Sequence, residues 1–133
     1  DDDTQDFLTE MTNEIMSLNP YFRAVVDSLD FFMQREDPNR VIAMLRMMQA
    51  HTQLNRGILF ITVSNDTITP AIKQEMAAIA DMVCDFKVRT IGSDFETSMI
   101  VSKFRNAPEN LSILVYRVTP EEGITPETVE RIA

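Results

Sequence analysis

Residues 4 to 18, TQDFLTEMTNEIMSL, set Phe7, Leu8, Met11, Ile15 and Leu18 near the 3.6-residue spacing of an amphipathic helix. Asn19-Pro20 ends that pattern, because a residue before proline is pushed out of the α region. FRAVV, residues 22 to 26, is then a nearly continuous apolar run, which predicts a strand buried on both faces. Asp37-Pro38 is a helix start, since Asp caps and proline is tolerated at the first helical position. The helix runs on through VIAMLRMMQAHTQLN, with Gly57 placed to help terminate it. GILFITVS, residues 57 to 64, predicts a second strand of the same buried kind. Thr69-Pro70 repeats the cap, and Ile72, Met76, Ile79 and Val83 follow on one helix face. Helix, strand, helix, strand, helix in that order predicts an α/β fold with a parallel sheet and helices packed on its faces.

The last third changes character. MVCDFKVRT, ETSMIVSKFR and LSILVYRVT are three strand-like runs with no room for helices between them. IGSDF separates the first two and reads as a hairpin turn, while NAPEN breaks the chain before the third. Parallel strands followed by an antiparallel extension are therefore expected. No internal repeat is visible, and 133 residues fit a single domain spanning 1–133.

Composition narrows the class. The hydrophobic share of 44% and charged share of 25% are those of a soluble globular protein, and no apolar run approaches the ~18 to 20 residues of a membrane span. DDDTQD is acidic where a signal peptide would be basic and then apolar. One cysteine, Cys84, excludes an internal disulfide and fits a reducing, cytoplasmic setting; one histidine, His51, leaves no zinc site of the usual kind. The net charge of −9 lies at the ends. Residues 1 to 20 hold six acids and no Lys or Arg, residues 21 to 118 balance eleven acids with eleven bases, and residues 119 to 133 hold four acids and one Arg. A neutral body argues against a phosphate-binding surface spread over the whole domain, although a local basic cluster stays open.

Three stretches carry candidate chemistry. In RAVVDSLDFF, Asp27 follows directly on the apolar run. A carboxylate there either begins a solvated turn or sits at the carboxyl end of a parallel strand, where open α/β sheets bind ligands and where phosphate-transferring enzymes orient magnesium. Asp30 reads as a solvated turn residue. In IVSKFRN, Lys103 and Arg105 are two apart and share a strand face, either as a solvated end or as a pair addressing an anion. In ITVSN, Thr62, Ser64 and Asn65 close a buried strand with small polar groups that would lie at the same sheet edge. His51 reads as surface, Cys84 as core, and the nine methionines as adaptable helix packing.

Taken in order, these pieces resemble the C-terminal half of the core of a RecA-superfamily ATPase of the KaiC-like branch. VVDSLDFF resembles the Walker B strand, GILFITVSN the next strand with its sensor-like polar end, IADMVCDFKV the helix-to-strand segment, and SKFRN the Lys-x-Arg element, over residues 10 to 120. The resemblance implies that Asp27 binds magnesium through water with Ser28 beside it, and that Ser64 or Asn65 lies near the γ-phosphate of ATP. It implies that Lys103 and Arg105 reach into a neighbouring subunit's nucleotide site, in a homo-oligomer that is a hexameric ring in the family. It further implies ATP hydrolysis used for regulation or signalling, with regulatory protein partners; a nucleic-acid partner is left open. The phosphate-binding run G-x-x-x-x-G-K-[ST] is missing, because Gly57, Gly92 and Gly123 are the only glycines and none begins it. The expectation is that the phosphate cradle lies upstream of Asp1 and that this chain alone does not hydrolyse ATP. The other reading is a degenerate, non-catalytic KaiC-like interaction or oligomerisation module. A receiver domain fits less well, because it needs paired acids after the first strand.

Overall fold

Asp6 opens helix α1 (Phe7–Met16) by accepting the Thr9 N–H at 3.0 Å, which satisfies one of the amides a helix start leaves unpaired. In this computed structural model, residues 6–107 and 112–127 are described. They fall into two compact units, Asp1–Ala80 and Asp81–Ala133.

The first unit runs α1, β1 (Arg23–Val26), α2 (Asp30–Arg35), α3 (Pro38–Leu54), β2 (Ile58–Ile61), a 3-10 turn (Asn65–Thr67) and α4 (Pro70–Ile79). Both expected proline starts form. The Asp37 carboxylate accepts the Asn39 N–H at 2.9 Å ahead of Pro38, and the Thr69 hydroxyl accepts the Ile72 N–H at 3.3 Å ahead of Pro70. Arg40 of α3 ties the helices together, donating to Glu36 at 2.7 Å, to the Thr9 hydroxyl at 2.9 Å and to the Asp6 carboxylate. The Thr9 amide, the Thr9 hydroxyl and Arg40 hold the Asp6 carboxyl down at about 2.

β1 and β2 pair in parallel, from Arg23 beside Ile58 to Val26 beside Ile61. Their inner residues, Ala24, Val26, Leu59 and Ile61, pack on a core of Leu8 and Ile15 from α1, Leu29 and Phe32 around α2, and Val41, Ile42, Leu45 and Met48 from α3. Burial on both faces, expected from the continuous apolar runs, does not occur. Val25 is 67% exposed and Phe60 59%, because among the described residues the helices cover one face of this pair. His51, expected at the surface, is half-buried. Its ring stacks on Phe22 at 5.6 Å, and its Nδ1 lies 3.1 Å from the Asn55 amide.

The second unit is an antiparallel sheet in the order β3 (Met82–Ile91), β4 (Asp94–Phe104), β5 (Ser112–Thr119) and β6 (Gly123–Pro126). The expected hairpin forms with Ile91 opposite Asp94, and Gly92 holds φ +61° at the first of the two turn residues, as a II′ turn requires. Val83 faces Lys103 while Cys84 faces Val101, so Ser102 is an extra residue bulged from β4. Cys84 is half-buried rather than deep in a core, and burial raises its thiol pKa.

Candidate functional site

β1 and β2 end side by side, and the ladder continues one step beyond them: the Thr62 N–H donates to Val26 O at 3.0 Å. Thr62 is thereby placed beside the first residue past β1, and its hydroxyl donates to Asp27 Oδ1 at 2.6 Å. The Leu29 N–H then donates to Thr62 O at 2.9 Å, closing the turn that leads into α2. Asp27 is exposed, and among the described residues its second carboxylate oxygen has no hydrogen-bond partner. The Asp27–Ser28 peptide bond is cis.

Asp30 is not a solvated turn residue. It begins α2, and its Oδ1 accepts the Ser64 N–H and the Thr67 hydroxyl, both at 2.8 Å. The Ser64 amide first and the Thr67 hydroxyl next favour the ionised form and hold the Asp30 carboxyl below its ordinary value. Ser28 supports the same turn, its hydroxyl accepting the Asp30 N–H at 3.3 Å. Asp30 therefore clasps the segment after β2 to the start of α2, and the clasp fixes where Ser64 and Asn65 stand.

Asp27, Ser28, Ser64 and Asn65 thus come together in the first unit, beyond the carboxyl ends of two parallel strands. Ser64 and Asn65 lie outside β2, which stops at Ile61; both are exposed, and Asn65 opens the 3-10 turn. Lys103 and Arg105 belong to the second unit. Lys103 is near the end of β4, and Arg105 is one residue past it. The Arg105 N–H donates to Asp81 O at 2.8 Å, and its guanidinium pairs with the Asp81 carboxylate at 2.8 Å.

What can this edge hold? A protein-only metal cage is not there, since the described residues contain no group of three or more His, Cys, Asp or Glu able to bind one ion. Magnesium asks for less: one or two carboxylates, with water and substrate phosphates filling the octahedron. Asp27, with one oxygen fixed by Thr62 and the other facing solvent, fits that lesser part. The phosphate cradle does not fit any described glycine. A Cβ on Gly57 would lie 2.6 Å from the Phe22 ring, Gly92 at φ +61° sits in the β3–β4 turn, and Gly123 at φ +70° opens β6 opposite Thr119.

Sequence reasoning singled out Asp27 because a carboxylate follows an apolar run directly. It read Asp30 as a solvated turn residue and did not single out Thr67, because their meeting spans 37 positions and leaves no local signature.

A family of unknown function, DUF7125, matches residues 1–119. No curated protein matches the chain. The solved structure of the flagellar accessory protein FlaH from Methanocaldococcus jannaschii is similar with a TM-score of 0.68 at 18% identity, covering 92% of this chain and 54% of that one. The KaiC-like protein PH0186 from Pyrococcus horikoshii OT3 is similar with a TM-score of 0.63 at 15% identity, covering 92% and 54%. At these identities the likeness is one of fold, a KaiC-like, RecA-type α/β core, and the chain spans about half the length of each structure. Among the described residues no helix is long and apolar enough to cross a membrane.

Proposed function

The chain belongs to the family of unknown function DUF7125 and spans about half of a KaiC-like fold; on that premise we propose that it is the C-terminal part of an oligomeric ATP-binding and ATP-hydrolysing core with a regulatory or signalling role. The observation that carries the reading is the Asp27 carboxylate, held by Thr62 at the carboxyl ends of two parallel strands. That is where open α/β sheets take their ligands. In this reading Asp27 holds magnesium through water, Ser28 lies beside it, and Ser64 or Asn65 senses the γ-phosphate. Bound magnesium would neutralise charge on the phosphates; this chain's part is to keep one carboxylate fixed and outward-facing. Lys103 and Arg105 act on the nucleotide of a neighbouring subunit. Arg105 would have to leave Asp81 to do so, and an exposed ion pair of that kind is worth only ~0.2–1 kcal/mol, so its release costs little.

A non-catalytic interaction module is the second reading. It is favoured by the structural employment of all three glycines in packing and turns.

The test uses the longer protein in which this chain would sit beside a phosphate-binding half. Arg105→Ala should slow hydrolysis by more than about tenfold while ATP binding persists, since trans-acting arginines contribute ~10³ to 10⁵ in rate where they are best understood. Asp27→Ala subunits, which keep Arg105, should restore part of the activity when mixed with Arg105→Ala subunits. Unchanged turnover in Arg105→Ala, or no rescue in assemblies shown to be mixed, overturns the trans role and favours the module.

A further inference from the structure

Period-two alternation gives the β3–β6 sheet two unlike faces. Every charged residue of the four strands falls on one of them, including Lys87, the Arg89–Glu96 pair at 2.7 Å, and Arg117, which pairs with Glu127 just past β6 at 2.7 Å. The opposite face carries no charge. Phe86, Val88, Phe95, Leu114, Val118 and Ile124 project from it, and each is between 38% and 76% exposed. The register makes them neighbours: Phe86 lies across from Met99 and Met99 from Leu114, while Val118 lies across from Ile124.

We propose that this charge-free face is a homodimer interface, on which a second copy of the chain seats the same face. Size is the first argument. Two aromatic and four aliphatic side chains, each between 38% and 76% exposed, leave on the order of 600 Å² open, at the top of the ~300–600 Å² of the largest patch on an ordinary monomer. A standard interface buries ~800 Å² per partner, so the patch and its rim are of the right extent.

Charge chooses the occupant. A partner that brought a charged group onto this face would bury it unpaired, at a cost of several kcal/mol, roughly. The occupant must itself be broad, apolar and uncharged, and the chain's own face meets those terms by construction. A two-fold axis makes such a contact self-complementary, and sheet faces stack at ~10 Å. The chain's charge of −9 does not oppose the contact strongly, because the four strands carry three acids, Asp85, Asp94 and Glu96, against four bases, Lys87, Arg89, Lys103 and Arg117. No part of the candidate nucleotide site is used, so this interface stands or falls separately from the proposed function.

Sedimentation of the full chain without nucleotide, over a range of concentrations, reads the result. A monomer–dimer equilibrium is expected. Phe86→Glu and Val118→Glu should each weaken it more than tenfold, whereas Lys87→Ala on the charged face should leave it unchanged. Far-UV circular dichroism checks that the variants keep their strands. The unmodified chain gives an independent readout: in a mixed isotope-labelled sample, methyl groups of Val88, Val118 and Ile124 should show intermolecular contacts. A chain that stays monomeric throughout, or an assembly whose intermolecular contacts fall on other residues such as Val25 and Phe60, overturns the proposal.

Discussion

Beyond the end of β1, two aspartates three residues apart have different surroundings. Asp27 is exposed and takes one hydroxyl hydrogen bond, from Thr62. Asp30 accepts a backbone amide and a hydroxyl, which favour its ionised form and lower its pKa from the ordinary 3.8. A carboxyl with a depressed folded-state pKa contributes stability that is fully present above its unfolded value and is lost as pH falls toward the folded one. Asp30→Asn should therefore lower Tm at neutral pH. The difference from the unmodified chain should shrink as pH drops below about 4, the region of an unperturbed aspartate. Thermal melts followed across that range check it, and an equal Tm difference at neutral and acid pH would show that Asp30 acts through packing instead. Asp27 was legible in the sequence because of its abrupt place after Val26. Its partner was not, because Thr62 lies 35 positions away and only the parallel pairing brings them together.

Whole elements were legible where a local chemical cue marks their ends. Asp37-Pro38 and Thr69-Pro70 start helices through hydrogen bonds two or three residues long, and Gly92 supplies the positive φ of the hairpin. α2 escaped because DFFMQR has no proline or glycine before it and no side-chain cap on the hydrogen-bond pattern at Leu29. β6 escaped because GITP is four residues long and contains both residues that usually break strands. The one-sidedness of β1 and β2 was hidden for another reason. A continuous apolar run satisfies either one or two buried faces, and tertiary covering decides between them. Gly57 offers a test at this scale. It joins α3 to β2, and any Cβ there meets the Phe22 ring, which is itself held against His51. Gly57→Ala should destabilise the chain by ~1–3 kcal/mol, the usual cost of overpacking, seen as a lower urea midpoint with little change in slope. A midpoint equal to that of the unmodified chain would mean that Phe22 can move aside freely.

At the scale of the whole molecule, the fold is that of KaiC-like structures while the chain spans about half of their length. Val25 and Phe60 on the β1–β2 pair stay exposed in this structure. In the proposed function this chain supplies a fixed carboxylate and trans-acting cations to nucleotide chemistry without a phosphate cradle of its own. Catalysis of phosphoryl transfer rests almost wholly on positioning and electrostatic stabilisation, so a chain without the cradle should have no turnover. The most direct measurement is ATP hydrolysis by the purified 133-residue chain with magnesium, beside an Asp27→Ala control. No release of phosphate above background is expected in either sample. Steady magnesium-dependent turnover that Asp27→Ala abolishes would contradict it.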